Sequence, residues 1–205
     1  MSGEGLALAL GLASAVARPD DAAQAREAER DLVGACQRGE REAFDRLVER
    51  YQREIYRLCY RYVNNHEDAN DLAQDAFLKA WRAIGRFRGD SSFSTWLYRI
   101  AVNACLNHRA LKRPLLQELP EVLPDPAPRA DADVLSADES RRVRQAVGQL
   151  PERQRATLIL KVYHELTHEE VAQILGSTVG TVKSNLFHAL GNLRRLLAGG
   201  EEKRP

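Results

Sequence analysis

The chain has 205 residues, which is enough for one ordinary domain or two small ones. Its 30 basic and 29 acidic residues give a formal net charge of +1, which argues against binding to nucleic acid through bulk charge alone. The hydrophobic content of 44% is ordinary for a globular protein, helical periodicity is widespread and strand patterns are scarce. We therefore expect an all-α protein whose contact with any nucleic acid is confined to small patches or helped by a partner.

The first thirty residues include the apolar segment LALALGLASAVA, which ends in small residues as a secretory leader does. Residues 1–5 carry only Glu4 as a charged side chain, and the lack of a positive segment argues against a leader. The segment also falls short of the roughly 20 apolar residues that a membrane span requires. We predict a poorly ordered or loosely helical extension over residues 1–30.

A helical domain is predicted over residues 31–112. A short helix ends near Gly39, and a long amphipathic helix then runs to the break at Asn64–Asn65. The next helix begins with acidic residues, which the helix dipole favours in a first turn. A fourth amphipathic helix starts at Phe93, so this domain is expected to be a four-helix bundle.

The last two helices are joined by the loop Gly85–Ser92, with the sequence GRFRGDSS. Two arginines, an aromatic ring and short polar groups suit an unstacked base held beside a phosphate backbone. On the following helix Arg99, Asn103 and Asn107 recur every four residues and share one side. That side is either a plain solvated face or a surface that contacts phosphates and base edges.

Residues 113–134 are rich in proline and acidic residues, and we predict a flexible linker there. A second helical domain is expected over residues 135–198, with Pro151 at the first position of one of its helices. Ala172, Gly176 and Val182 have the spacing of a helix-turn-helix. A free-standing helix-turn-helix regulator would explain this domain but would leave residues 68–109 without a role.

The stretch His164–His168 reads HELTH, a literal match to the zinc-peptidase motif HExxH. Zinc binding needs both histidines one turn apart on a single helix, whereas Thr167 and Glu170 form a capping box that starts a helix between them. We therefore expect no metal site in this stretch. The cysteines lack metal-like spacing and are expected to be reduced core thiols: Cys36, Cys59 and Cys105.

DLAQDAFLKAW followed by FRGDSSFSTWLYRIAVN closely resembles the second conserved region of bacterial sigma factors, in the small extracytoplasmic-function, sigma-E-like group. With the helix-turn-helix, the resemblance covers most of the chain outside the first thirty residues and the linker. It implies a cytoplasmic alternative sigma factor that binds core RNA polymerase, recognises promoter DNA and helps to separate its strands. It also implies no enzymatic activity, no cofactor and no small-molecule substrate. It also implies three contacts: the clamp coiled coil of the largest polymerase subunit, the subunit that meets region 4, and an anti-sigma factor.

The resemblance also implies three sets of site residues. Core polymerase would be bound through Asp68, Asp71, Leu72, Gln74, Asp75 and Phe77. The minus-ten element would be read and opened by Arg86, Phe87, Arg88, Gly89, Asp90, Ser91, Ser92, Trp96, Arg99, Asn103 and Asn107. The minus-thirty-five element would be read by Thr167, Thr178, Thr181, Lys183, Ser184, Asn185, Phe187 and His188. Asn185 stands where the family commonly has arginine, which leaves the minus-thirty-five sequence open.

Overall fold

The computed structural model of the chain describes residues 19–112 and 137–198. The described N-terminal part contains α1 (Pro19–Gln37), α2 (Arg41–Val63), α3 (His66–Ala83), a 3₁₀ turn (Ile84–Arg86) and α4 (Phe93–Lys112). The described C-terminal part contains α5 (Ala137–Gln149), α6 (Glu152–Leu158), a π turn (Ile159–Tyr163), α7 (His168–Leu175) and α8 (Val179–Ala198). The all-α prediction is confirmed. The predicted linker and the extension up to residue 18 lie outside the described residues.

The first helix begins at Pro19, twelve residues before the predicted start of the helical domain at 31. Proline is well suited to a first helical position because its missing N–H has no intrahelical partner there. Within the helix, the carboxylate of Glu29 is buried and accepts a hydrogen bond from the hydroxyl of Tyr51 on α2. Because alanines and charged residues fill the early turns, the sequence has a clear apolar period only from Leu32 onward.

Two consecutive asparagines separate α2 from α3, as the sequence predicts. Asn64 ends α2 in the left-handed conformation, with φ of 55°, and its N–H donates to the carbonyl of Tyr60 at 2.7 Å. Asn65 then caps α3, since its side-chain oxygen accepts from the N–H of Asp68 at 3.0 Å. The chain therefore reverses within two residues, and α2 and α3 pack against each other along a buried apolar face.

The three cysteines are free thiols buried in the N-terminal domain, which confirms the prediction of core thiols. Cys59 on α2 and Cys105 on α4 have no exposed surface and contact each other. The hydrogen bond with Cys59, together with burial, raises the pKa of the Cys105 thiol well above its usual range. Both groups therefore act as small apolar side chains in the core.

The C-terminal domain is organised around a buried arginine. Arg155 on α6 is 1% exposed, and its guanidinium donates to the carbonyls of Val147 at 3.0 Å and Leu150 at 3.1 Å. It also donates to the carbonyl of Gly148, so it closes the carboxyl end of α5. Pro151 is one residue from its predicted position, since it occupies the N-cap position of α6 and the helix begins at Glu152.

The two domains pack on each other. Helix α4 lies against α7, and the end of α2 lies against the π turn. The same guanidinium of Arg155 reaches across this boundary to the carbonyl of Tyr62 at 3.4 Å. No helix among residues 19–112 and 137–198 is long and apolar enough to cross a membrane.

We predict that Arg155→Ala lowers the free energy of unfolding of the chain by about 3 kcal/mol or more, because each buried carbonyl left without a donor costs about 1–3 kcal/mol. Urea unfolding followed by circular dichroism measures this change. The control is Arg153→Ala, which removes an exposed arginine two residues earlier on the same helix and should change stability by less than about 0.5 kcal/mol. Equal effects of the two substitutions would contradict the structural role of Arg155.

Candidate functional site

The loop between α3 and α4 is fixed at both ends and exposed in the middle. At its start, the side-chain amide of Gln37 on α1 donates to the carbonyls of Ile84 at 3.2 Å and Phe87 at 2.8 Å. At its end, the hydroxyl of Ser92 accepts from the N–H of Thr95 at 3.1 Å and so caps α4. Between these anchors Gly89 has φ of +76°, which favours glycine.

The aromatic residues around the loop form a cluster. The ring centroid of Phe87 lies 6.1 Å from that of Phe93 and 5.1 Å from that of Trp96. Phe93 is 3% exposed and belongs to the core, whereas Phe87 and Trp96 are half-buried. Phe87 therefore anchors the loop to α4, and Trp96 keeps part of its ring accessible beside the loop.

The polar groups of the loop point to solvent. Arg86, Arg88 and Asp90 are exposed, and Ser91 is half-buried. Along α4, the repeat of Arg99, Asn103 and Asn107 is also exposed. The predicted minus-ten residues therefore form one accessible surface from the loop onto α4, with Phe87 and Ser92 acting mainly as its supports.

The residues of α3 predicted to bind polymerase include an accessible polar stripe and one buried leucine. Asp71 and Gln74 are exposed, and Asp75 forms an ion pair with Lys79 at 2.6 Å. Leu72 is only 6% exposed and packs in the core, so its inclusion among contact residues is wrong. The reason is its period, since Leu72 shares a face with the buried Ala69 and Ala76.

Two other predicted residues of α3 lie beside this stripe. Phe77 is half-buried and packs against the core cluster. Asp68 lies near His108 of α4, with 3.4 Å between the carboxylate oxygen and Nε2 of the imidazole.

Two residues that sequence reasoning missed complete these surfaces. Leu78 is 55% exposed and, by the helical repeat, continues the stripe of Asp71, Gln74 and Asp75. Its position outside the buried period of α3 could have identified it. Gln37 carries no sequence pattern that points to the loop, since its bonding partners are 47 and 50 residues away.

The helix-turn-helix forms as predicted. Ala172 and Val182 are buried, and Gly176 turns the chain with φ of +57°. Thr167 and Thr178 have structural tasks, because each hydroxyl accepts a backbone N–H at a helix start, from Glu170 and Thr181 respectively. The exposed residues of α8 then form the candidate groove-facing side: Thr181, Lys183, Ser184, Phe187 and His188.

The HELTH stretch has the geometry predicted from its capping box. Thr167 caps α7, which begins at His168, and the box with Glu170 is complete. Glu165 has φ of 52°, so a left-handed residue separates the two histidines. His164 and His168 therefore do not lie on successive turns of one helix.

A cleft of about 290 Å³ lies where the two domains meet. Asn103 of the α4 stripe lines it on one side, and Asn185 of the helix-turn-helix lines it on the other. Asn185 is half-buried, unlike the other predicted residues of α8. The remaining residues that line the cleft come from both domains: Leu106, Glu152, Arg153, Ala156, Leu175 and Ser177.

Comparison with known proteins identifies two family regions. The model of Sigma-70 region 2 matches residues 47–113, and the model of Sigma-70, region 4 matches residues 140–193. The RNA polymerase sigma-H factor of Pseudomonas aeruginosa is 39% identical over 184 residues, covering 80% of this chain and 91% of that protein. The ECF RNA polymerase sigma-E factor of Escherichia coli is 37% identical over 169 residues, covering 77% and 88%.

Two solved structures share the fold. CnrH, in complex with the cytosolic domain of CnrY, has a TM-score of 0.65 at 25% identity and covers 84% of this chain and 98% of that one. The sigma factor RpoE from Bartonella quintana, in complex with the anti-sigma factor NepR, has a TM-score of 0.62 at 25% identity and covers 76% and 96%.

Proposed function

Since the chain belongs to the sigma-70 family, in its extracytoplasmic-function group, it is an alternative sigma factor for transcription initiation, and we propose which of its surfaces perform the separate steps of that work. The observation that supports this division is the presence of an exposed loop-and-stripe surface in the domain matched by region 2 and an exposed helix face in the domain matched by region 4. Each surface is built on a rigid helical support.

Core RNA polymerase is bound by the stripe of Asp71, Gln74, Asp75 and Leu78. Carboxylates around an exposed leucine complement a basic surface that has an apolar centre. The charges steer the encounter, and the leucine adds affinity when binding buries it. The partner on the polymerase is the clamp coiled coil of its largest subunit, and the C-terminal domain meets a second subunit.

The minus-ten element is opened by the loop and by the stripe on α4. The energetic task is to offset the few kcal/mol that unstacking a base costs. The exposed groups of Arg88 and Asp90 offer a donor fork and an acceptor to the edge of an extruded base. Arg99, Asn103 and Asn107 hold the adjacent backbone and base edges. The half-buried Trp96 supplies a ring for stacking.

The minus-thirty-five element is read by α8 in the major groove. Lys183 and Ser184 supply hydrogen bonds, and Phe187, which is 75% exposed, supplies an apolar contact of the kind that recognises a thymine methyl group. Because Asn185 is half-buried, we assign it to the margin of this surface. Further partners are an anti-sigma factor, by similarity to the Bartonella quintana protein, and the site of action is the cytoplasm, where polymerase works.

The double substitution Arg88→Ala and Asp90→Ala should slow the opening of a fully paired promoter by about tenfold or more, because a hydrogen bond to a charged group is worth about 1.5–3 kcal/mol. Permanganate reactivity of unpaired thymines measures opening. Ser92 is left intact because its hydroxyl caps α4.

On a template whose minus-ten bubble is already open, the same variant should regain most of its transcription. Arg82→Ala, at an exposed position on α3, is the control and should open the paired promoter normally. Normal permanganate reactivity of the loop variant on the fully paired promoter would mean that α4, not the loop, opens the strands.

Charge reversal at Asp71 and Asp75 should weaken binding to core polymerase roughly tenfold, because a favourable electrostatic contact becomes repulsive. The fold should persist, since Asp71 is exposed and the lost ion pair with Lys79 is worth only about 0.3–0.5 kcal/mol. Binding is measured by pull-down and fluorescence titration, with Glu49→Lys on the exposed side of α2 as the control. Unchanged affinity with an unchanged circular dichroism spectrum would contradict the docking assignment.

Lys183→Ala should weaken binding of the holoenzyme to promoter DNA. If Lys183 contacts phosphate, the loss is the same for all sequences and the slope of log affinity against log salt falls by about one. If it reads a base, the loss is selective for the minus-thirty-five sequence and amounts to roughly 1–3 kcal/mol. Titrations on consensus and altered promoters at several salt concentrations distinguish the two cases. An unchanged affinity would contradict the proposal that α8 enters the major groove.

A further inference from the structure

The last residue of α1 is hydrogen-bonded to the loop proposed to open the minus-ten element. A single nitrogen atom, Nε2 of Gln37, donates to the carbonyl of Ile84 at 3.2 Å and to the carbonyl of Phe87 at 2.8 Å. A side-chain amide has two N–H groups on that nitrogen, so these bonds use its full donor capacity. Because both acceptors are carbonyls, the nitrogen of the amide rather than its oxygen faces the loop.

Gln37 is itself held in place by the way α1 ends. The N–H of Glu40 donates to the carbonyl of Ala35 at 3.1 Å, and the N–H of Gly39 donates to the carbonyl of Cys36 at 3.0 Å. This pair of bonds is a Schellman motif, which fixes the backbone on both sides of Gln37. The side chains of Ala35 and Cys36 are buried in the core of the N-terminal domain. The amide of Gln37 therefore reaches the loop from a fixed support.

The bond to Phe87 sets the direction in which the loop continues. A peptide unit is planar, so its carbonyl oxygen lies in one plane with the N–H and Cα of the next residue. By holding the carbonyl of Phe87, the amide of Gln37 orients the peptide plane that leads into Arg88. The bond to Ile84 supports the preceding turn, because the same Ile84 carbonyl accepts from the N–H of Phe87 at 3.0 Å. Gln37 therefore acts on the backbone just before Arg88 and Asp90, the exposed residues proposed to receive the base.

We infer that Gln37 is a positioning residue for base capture: without touching the base, it holds the loop in the conformation in which Arg88 and Asp90 receive it. A site whose competent conformation is only partly populated binds more weakly in proportion to that population. Loss of the Gln37 amide therefore weakens recognition of the extruded base and leaves contacts to the phosphate backbone unchanged. This role rests on the proposed function, because it requires the loop to capture a base.

The test compares binding of single-stranded oligonucleotides by holoenzyme that contains the unsubstituted chain or Gln37→Ala. The oligonucleotides carry the non-template minus-ten sequence of a promoter that the holoenzyme transcribes, either intact or with an abasic site at one position at a time. The captured base is the one whose removal weakens binding of the unsubstituted chain but not of the Arg88→Ala, Asp90→Ala variant. Fluorescence anisotropy measures each affinity.

With the captured base present, Gln37→Ala should lower affinity about 3- to 10-fold, as expected for the loss of hydrogen bonds between neutral groups. Affinity for the strand that lacks this base should not change. Gln37→Glu should have at least as large an effect, because a carboxylate has no donor and would face two carbonyl oxygens. Gln37→Lys should restore most of the difference between the two strands, because an ammonium group has three donors.

The matched control is Gln52→Ala. Gln52 is an exposed glutamine on α2, and its amide donates to the carbonyl of Glu49 in the same helix at 3.5 Å. This variant should bind both strands as the unsubstituted chain does. Because Gln37 is also exposed, neither substitution should move the midpoint of urea unfolding by more than an ordinary surface substitution does.

A second measurement reports the turn without DNA. Exchange of the Phe87 N–H with solvent deuterium, followed by NMR in the full chain, should become about 3- to 10-fold faster in Gln37→Ala, because local opening of the turn costs less. Exchange of the same N–H should be unchanged in Gln52→Ala.

Equal losses of affinity for the intact and abasic strands would overturn the positioning role, because they would mean that Gln37 contacts the strand directly or supports the whole fold. An unchanged difference between the strands, or unchanged exchange of the Phe87 N–H, would also overturn it. Failure of the proposed function is recognised separately. The Arg88→Ala, Asp90→Ala variant would then respond to every abasic site as the unsubstituted chain does, and the role of Gln37 in base capture would be overturned with it.

Discussion

The guanidinium of Arg155 lies where α5, α6 and the end of α2 meet, and it supplies donors to carbonyls from two domains. A buried cation is costly unless its hydrogen-bonding capacity is used, and here the carboxyl end of α5 provides both acceptors and the negative end of a helix dipole. One side chain therefore links the end of α5, α6 and the end of α2 through its hydrogen bonds.

Helix caps and side-chain hydrogen bonds hold in place the surfaces proposed for DNA and polymerase. Asn64 and Asn65 end one helix and start the next, so the acidic stripe of α3 begins at a defined residue. Gln37 and Ser92 fasten the two ends of the loop, and Gly89 lets the chain turn between them. A loop held at its ends can present its arginines without burying them, which leaves their charge available to a phosphate backbone.

The sequence was sufficient to predict the features that depend on local chemistry. The apolar period located α2, α3 and α4, and the T-x-x-E box located the start of α7. The sequence was insufficient for features that depend on contacts between residues far apart in the chain. Helix α1 was predicted too short because its early turns lack an apolar period. Gln37 was missed because its hydrogen bonds join residues about fifty positions apart. The packing of α4 on α7, which brings Asn103 and Asn185 into one cleft, has no sequence pattern at all.

The near-neutral charge of the chain and its asparagine at position 185 have a common physical consequence. Two DNA-binding faces repel each other when both are basic, and a closed arrangement then costs free energy. Here the cleft holds Arg153 with Glu152, and the facing residues Asn103 and Asn185 are neutral amides. An arginine at position 185 would add a second guanidinium to a small cleft and favour separation. The asparagine instead adds no charge to the cleft between the two packed domains.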